Sequence, residues 1–430
     1  MNKYETALSE IASLPHPFCV DENGRMRQPS LDNMRRLDSY LGNPCGKLKI
    51  IHVAGTNGKG SCVNMLASVL ISLGRKIGVY QSPHIIDCRE RITICGQRIS
   101  EEDFCRIWRL QKEFVQKNVS TTYSEVLVSM AMYYFVEKEV DLAIVEVGIG
   151  GLNDPTNICD TPILSVITSI GYAHTQLLGG SLKEIAFQKG GIIKHSIPIV
   201  IGNIPFGVIP LIEKIAETKR APVFKAENYW RALPRPERIS HDKWFDLKGP
   251  CQKYNVKTIV TAFHLLLKYD HIQCPNLNLL SVRNAMRKTR KIMSFRGRWD
   301  VIYNKPFTVF DVCSNVTALR ESIVHIRRLK DRKRYDKLYV IIGFSELTKF
   351  ELGMLKKVLP TEAYYIIPCS DATLNAGETL TMLDVNGEIA LSICEAIDKC
   401  LSMASIHDMV FIGGSHYFAP EILSRFQSNS

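Results

Sequence analysis

The sequence predicts an α/β protein in two parts: an N-terminal parallel-sheet domain built around a phosphate-loop-type turn, and a smaller C-terminal α/β domain of Rossmann-like order. Three observations lead there. Residues 49–73, KIIHVAGTNGKGSCVNMLASVLISL, read as strand, glycine loop and helix. Between residues 50 and 201, strand-length runs apolar on both faces alternate with helical segments, as in a parallel sheet covered on both sides. After a basic stretch ending near residue 298, a second alternation of strands and helices begins. The 430 residues exceed one ordinary core, and 46% hydrophobic content fills more than one. The expected domains are 1–297 and 298–430.

In the opening unit, Ile50, Ile51 and Val53 supply the strand, and Val63, Leu66, Ala67, Leu70 and Leu73 recur at helical spacing. Between them lies Gly55-Thr56-Asn57-Gly58-Lys59-Gly60-Ser61. Such a turn aims backbone N–H groups and a helix N-terminus at a phosphate chain. Lys59 would reach the β- and γ-phosphates and the Ser61 hydroxyl would ligate Mg²⁺. The spacing departs from G-x-x-x-x-G-K-[ST], because Gly60 separates the lysine from the serine. An ordinary strand-to-helix turn also carries glycines. Lysine and serine together, between a buried strand and an amphipathic helix, favour nucleotide binding.

In chain order, a helix precedes this unit, then a loop over 15–29 that would act as a lid or a plain surface connection, then a helix over 31–41 closed by Gly42-Asn43-Pro44. Gly74 ends the helix of the nucleotide unit as a cap. Residues 76–80 form a strand leading to Gln81-Ser82-Pro83-His84, and 85–99 a loop and hairpin. Ser100 caps one helix. Thr122 and Glu125 form a capping box for the next, which turns Val126, Met130, Tyr133 and Tyr134 inward. Strands over 141–147 and 163–168 end in the polar stretches 148–157 and 169–175. Ser181 and Glu184 box a helix ending near Gln188-Lys189-Gly190-Gly191, and 197–201 is a further strand. Ligands gather where polar residues follow the ends of such strands. Residues 226–248 are irregular, 249–255 open a helix through Leu267, and a boundary falls over 295–305. Beyond it, strands are expected at 307–312, 337–342, 363–367 and 409–413, with helices near 317–329, 350–358, 386–403 and 419–427. No internal repeat appears.

Composition excludes several classes. The N-terminus lacks the apolar core of a signal peptide, and no stretch approaches the roughly 18 unbroken apolar residues of a membrane span. The thirteen cysteines form no C-x-x-C pair, and Cys62 and Cys394 sit in helical apolar patterns. Reduced core thiols in the cytoplasm are expected, rather than a disulfide framework or a zinc site. The net charge of +11 concentrates in residues 283–298 and 327–337. Without interleaved aromatics or a nucleic-acid module, these runs read as solvated helix faces, or as a positive field that draws in ATP and carboxylates.

Set in register, LGNP, IHVAGTNGKGS, YQSPHIIDCRERI, Thr122-Tyr123-Ser124-Glu125, DLAIVEVGIGG, ITSIGYAHTQLLGGSLKEIAFQKGGIIK, GPCQKYN, RGRW, FDVCSN and FIGGSHYF resemble the folylpolyglutamate synthase/dihydrofolate synthase family of the Mur ligase superfamily. The resemblance implies a Mur-ligase-like ATP-binding domain and an ATP-dependent carboxylate–amine ligase. The carboxylate would take the γ-phosphate to become an acyl phosphate, which an amino acid such as glutamate attacks. It further implies that Gly55, Thr56, Asn57, Gly58, Lys59, Gly60 and Ser61 hold the nucleotide, together with Asn255, Arg298 and Asp311. Ser61, Ser82 and Glu146 would hold a first Mg²⁺; His174 and Lys189, the latter as a carbamate, would serve a second. Lys59, Glu146, His174 and Lys189 are the expected catalytic residues. Domain closure would exclude water from the acyl phosphate. A monomer is expected, with neither nucleic acid nor membrane as partner.

The residues also carry plainer readings. Glu146 ends an apolar strand, where a carboxylate packs poorly, so a metal or catalytic role leads. His174 would equally serve as a satisfied structural histidine, Lys189 as a complement to a helix dipole, Ser82 as a turn residue and Arg298 as one more charge in a basic run. Several positions depart from the family pattern, three of them prominently: Leu152 replaces an arginine, Ala173 an aspartate and Ser314 a histidine, while Gln188-Lys189-Gly190-Gly191-Ile192 stands for E-K-A-G-I and Leu347-Thr348-Lys349 for D-K-D. A divergent ligase is therefore expected, and a nucleotide-binding homologue that no longer ligates, serving as a partner or regulatory subunit, is the alternative.

Overall fold

Parallel strands buried on both faces need apolar side chains on both, and this dictates where the chain forms sheet. The computed structural model describes residues 2–15, 30–275, 277–345, 347–371 and 374–427. The lid reading of the loop over 15–29 falls on residues 16–29, outside the described residues. Strands are numbered in chain order: β1 Ile50–Ala54, β2 Ile77–Tyr80, β3 Ile92–Ile94, β4 Gln97–Arg98, β5 Leu142–Glu146, β6 Leu164–Ser169, β7 Ile199–Asn203, β8 Val223–Lys225, β9 Asp300–Tyr303, β10 Phe307–Asp311, β11 Leu338–Ile342, β12 Tyr364–Pro368, β13 Gly387–Ala390 and β14 Met409–Gly413.

The chain divides into two units. The first holds Met1–Gly171, Ser181–Asp246 and Lys253–Ser294; the second holds Tyr172–Gly180, Leu247–Gln252 and Phe295–Ser430. The first unit's sheet runs β4-β3-β2-β5-β1-β6-β7-β8. From β2 to β8 the pairs are parallel, and β3 and β4 add an antiparallel hairpin at one edge. Every residue of β1 and β5 is buried. The helix Lys59–Ser72 is buried without interruption from Gly60 to Leu70, which explains its lack of a polar stripe. Gly78 on β2 lets the helix Tyr123–Glu137 approach: a β-carbon there would lie 2.8 Å from the Phe135 ring. The capping boxes at Thr122/Glu125 and Ser181/Glu184 both form, each cap stabilising its helix by about 1 kcal/mol.

The second unit's sheet runs β13-β12-β11-β14-β10-β9, parallel except for β9. The α/β class and the parallel-sheet architecture are as expected, with local corrections. Residues 386–403 are not one helix. Glu388 to Ala390 pair along β12 as an edge strand, and Ser392 then accepts from the Glu395 N–H to start the helix Ile393–Met403. A helix Ala376–Leu383, capped by Asn375, precedes them. The boundary segment contains β9, which pairs antiparallel with β10. The irregular stretch 226–248 opens with the helix Ala226–Ala232. Cys62 is buried, as read, but Cys394 is only half-buried, and its thiol donates to Glu421 Oε2 at 3.6 Å. The described cysteines are all free. Among the described residues, no helix is long and apolar enough to cross a membrane.

Candidate active site

The strand order places the C-terminal ends of β2, β5, β1 and β6 side by side, so residues far apart in sequence meet at one sheet edge. The Gly55–Ser61 loop leaves β1 there, and Gly58, at φ +85°, caps the helix Lys59–Ser72. The N–H groups of that first turn lack intrahelical acceptors and suit an anion. Neighbouring β6 holds the loop in place. The Thr56 N–H donates to the Ser169 carbonyl (2.9 Å) and the Asn57 N–H to Ser169 Oγ (2.9 Å), while Thr168 Oγ1 donates to the Asn57 carbonyl (2.7 Å). A β-carbon on Gly55 would lie 1.9 Å from Thr168 Oγ1, and one on Gly58 would lie 2.5 Å from Asn255 Oδ1. Two of the loop's glycines are thus required by close approach, and Asn255 packs directly against the turn.

Two lysines converge on this loop. Lys59 Nζ donates to the Gly55 carbonyl at 3.1 Å and lies 4.0 Å from Oε1 of Glu146, the buried last residue of β5. Lys189 Nζ donates to the same carbonyl at 3.0 Å. Burial, reinforced by the nearby Lys59 ammonium, holds the Lys189 amine well below its usual value, and only Asp154 opposes the shift. A lysine read at a helix end is therefore a buried amine beside a phosphate-type loop, not a dipole complement.

Ser61 is buried in the first turn of its helix. Ser82 follows β2, and a β-carbon on Gly148 would touch both Ser82 Oγ (3.5 Å) and Asp154 Oδ2 (3.2 Å). Gly148 stands two residues beyond Glu146. Asp154 accepts from the Ile149 N–H (3.0 Å), the Thr156 N–H (3.0 Å) and Thr156 Oγ1 (2.5 Å), and burial raises its carboxyl above the usual range. Thr156 Oγ1 also lies 2.9 Å from Nε2 of the fully buried His52. Asp154, His52 and the Thr168–Ser169 pair were given no role from sequence. Thr168 and Ser169, polar residues at the end of a strand, were the available signal.

In the second unit, Asp311 ends β10, and burial raises its carboxyl to about 6 against the opposing Arg298 guanidinium. Arg298 donates to the Gly297 carbonyl at 2.8 Å and lies over the Phe295 ring. His174, at φ +51°, precedes the one-turn helix Thr175–Leu178. Of the three departures, Leu152 lies against Gly191 and donates its N–H to the Gln188 carbonyl (2.8 Å), Ala173 is buried, and Ser314 is exposed after β10. The basic run ends the helix Val316–Asp331, which leads from the C-terminal end of β10 back to the start of β11, so its charges lie at the sheet edge opposite Asp311.

Among the described residues, no three His, Cys, Asp or Glu side chains gather as a metal cage. Mg²⁺ does not require one, since it keeps several waters and takes one or two carboxylates beside phosphate oxygens. Glu146 with the Ser61 and Ser82 hydroxyls suits that pattern.

Comparison with known proteins agrees with this architecture. Residues 53–219 match the Mur ligase middle domain. The dihydrofolate synthase/folylpolyglutamate synthase of Bacillus subtilis (strain 168) is 31% identical over 438 residues, covering 94% of this chain and 97% of that protein. The human mitochondrial folylpolyglutamate synthase is 40% identical over 353 residues, 76% of this chain and 60% of that one. The structure of E. coli FolC in complex with DHPP and ADP superposes with a TM-score of 0.79 at 23% identity, covering 99% of this chain and 98% of that chain, a likeness of fold. A relative matched almost end to end, on a parallel sheet whose first loop is gripped by its neighbour strand, settles the classification: the chain belongs to the folylpolyglutamate synthase/dihydrofolate synthase family of ATP-dependent acid–amino-acid ligases, within the Mur ligase superfamily.

Proposed function

We propose that this protein joins glutamate to the carboxylate of a pteroate- or folate-type acceptor, at the expense of ATP and through an acyl phosphate. The observation that carries the reading is the meeting of the Lys59 and Lys189 amines on the Gly55 carbonyl, beside the buried Glu146, at the N-terminus of the helix Lys59–Ser72. The names of the relatives supply the acceptor and the amine.

In this reading the amides of the Gly55–Ser61 turn hold the phosphates, and Lys59 swings from the Gly55 carbonyl to the transferring group. Placement of cations accounts for most of the catalysis of phosphoryl transfer. Ser61, Ser82 and Glu146 would hold a Mg²⁺, which when bound neutralises charge on the phosphate oxygens. Asn255, Arg298 and Asp311 would hold the nucleotide, and His174 would serve with Lys189. Burial lowers the basicity of Lys189, which favours the neutral amine, the form that adds CO₂ with release of a proton to give a carbamate. The carbamate turns a cation that would repel a metal into an anion that attracts one. The protein would act as a cytoplasmic monomer.

The test is phosphate release from ATP–Mg²⁺ with dihydropteroate or a reduced folate, with and without glutamate. Release that requires both acceptor and amine supports the ligase. The substitutions at Leu152, Ala173 and Ser314 favour a second reading, a nucleotide-binding homologue that no longer ligates; ATP binding without turnover would support it instead.

A further inference from the structure

Two side-chain amides tie the turn after β2 to the first turn of the helix Lys59–Ser72. Asn64 lies fully buried on that helix, one turn beyond Ser61. Its Nδ2 donates to the Gly60 carbonyl at 2.7 Å and to Gln81 Oε1 at 2.7 Å. Gln81, half-buried after β2, donates in turn from Nε2 to the Glu90 carbonyl at 3.0 Å, and its backbone N–H donates to the Arg91 carbonyl at 3.0 Å. The bridge from Gly60 through Asn64 and Gln81 to Glu90 is thus an unbroken run of directed bonds.

The strand order gives this bridge its place. β1 and β2 are not neighbours, because β5 lies between them and ends in Glu146. The segments that leave β1 and β2 therefore share no ladder, and the two amides join them across the strand that carries the carboxylate. Each end of the bridge stands one peptide bond from a candidate metal ligand, since Gly60 precedes Ser61 and Gln81 precedes Ser82. Ser82 Oγ lies 3.5 Å from where a β-carbon on Gly148, two residues beyond Glu146, would stand.

Packing alone does not call for an amide at position 64. The helix is buried without interruption from Gly60 to Leu70, where an apolar side chain needs no partner. Asn64 Oδ1 is buried with no partner among the described residues, so the amide leaves an acceptor unsatisfied while it commits its donors to the bridge. A half-satisfied buried amide destabilises a core relative to an apolar residue of similar shape. What it supplies instead is orientation.

We propose that Asn64 and Gln81 are positioning residues that fix the spacing of the Ser61 and Ser82 hydroxyls for a nucleotide-bound Mg²⁺. The assignment rests on the ligase reading above, which puts that ion at the two serines and Glu146. Mg²⁺ demands near-ideal octahedral geometry with oxygens at about 2.0–2.1 Å, so ligands on two separate segments need a separation that neither segment sets alone. The amides act through the Gly60–Ser61 and Gln81–Ser82 peptides and not on the metal itself.

Metal affinity of the full chain tests this apart from turnover. Mn²⁺, as a paramagnetic stand-in for Mg²⁺, is titrated by electron paramagnetic resonance into the protein with a non-hydrolysable ATP analogue, and affinity for the same analogue is measured by calorimetry in EDTA. Gln81→Met keeps the length of the side chain and removes both of its amide bonds. It should weaken Mn²⁺ binding about 10- to 100-fold, the range for losing a group that orients metal ligands, with metal-free analogue affinity unchanged. Asn64→Leu should act likewise, and the double variant should bind Mn²⁺ no more weakly than the weaker single variant, because the amides work as one unit. A folded Gln81→Met protein with wild-type Mn²⁺ affinity overturns the assignment, whether or not Asn64→Leu folds. Equal losses of Mn²⁺ and metal-free analogue affinity overturn it as well, since they mark a loosened loop and not misplaced ligands. With either result, wild-type phosphate release that requires acceptor and amine leaves the ligase reading standing. Mn²⁺ binding weakened as expected, in a protein whose wild type releases no phosphate, overturns the ligase reading alone. A wild-type complex that binds no Mn²⁺ overturns both.

Discussion

Replacing Gly55 by alanine strikes the point where β6 grips the phosphate-type loop. The new β-carbon would lie 1.9 Å from Thr168 Oγ1 and 3.2 Å from the Ser169 nitrogen, so one of them must move. Displacing the Thr168 hydroxyl breaks its 2.7 Å bond to the Asn57 carbonyl, which costs about 1 kcal/mol because that carbonyl keeps the Ser169 hydroxyl at 2.9 Å. Holding a β-carbon at φ +156° adds about 1–3 kcal/mol. The sum, about 2–4 kcal/mol, is a large part of a domain's stability. Urea unfolding should show that loss, and calorimetric titration with ATP–Mg²⁺ should show weakened binding, because the carbonyl that receives both lysines moves with the loop. Thr168→Ala removes the 1.9 Å contact and leaves the 3.2 Å approaches of its own β-carbon and of the Ser169 nitrogen. The double variant should therefore be more stable than the sum of the single losses predicts, by about 1 kcal/mol, the bond counted in both. Strict additivity, or a Gly55→Ala protein within about 1 kcal/mol of wild type, would refute the account of the loop.

Lys59→Met should lower the rate of phosphate release roughly 10²- to 10³-fold, the effect of removing one preorganised electrostatic contact; a rate within a few-fold of wild type would show that the amine plays no part in transfer. Asp311 carries a carboxyl raised from 3.8 to about 6, so its contribution to stability is fully present below 3.8 and is lost as pH rises through 6. Between pH 4.5 and 7.5 the wild type should lose about 2 kcal/mol relative to Asp311→Asn, read by urea unfolding at each pH; parallel curves would exclude a buried, titrating Asp311. His52 has the opposite sign. Burial lowers it from 6.5 to about 3, so stability present above 6.5 is lost as pH falls toward 3. The wild type should lose about 3 kcal/mol relative to His52→Gln between pH 7.5 and 4.5, and an NMR titration placing the His52 midpoint near 6.5 would contradict its burial.

Local chemistry was legible in the sequence because its partners lie within a few residues. The capping boxes at Thr122/Glu125 and Ser181/Glu184, the glycine turn before Lys59 and the doubly apolar strands each follow from spacing alone. Residues 386–403 misled for the same reason. Their helical period continues through Glu388 to Ala390, and only pairing with β12 holds that segment extended. Cys394 fits an apolar stripe, yet the stripe does not show that its end of the helix faces Glu421 and solvent.

The sequence by itself determined that a strand–loop–helix unit exists, that it is suited to phosphate, and that the chain is α/β with its polar residues after strand ends. Only the tertiary structure decided which of those residues meet. Lys189 reaches the Gly55 carbonyl across 134 positions, and Thr168 and Ser169 grip the loop across more than a hundred, because the order β5-β1-β6 brings three strand ends together. The burial that lowers the basicity of Lys189 is equally a property of the assembled edge. Hydrogen-bond period and turn chemistry are encoded in neighbours along the chain, whereas desolvation and convergent charge arise only when distant segments exclude water from one another.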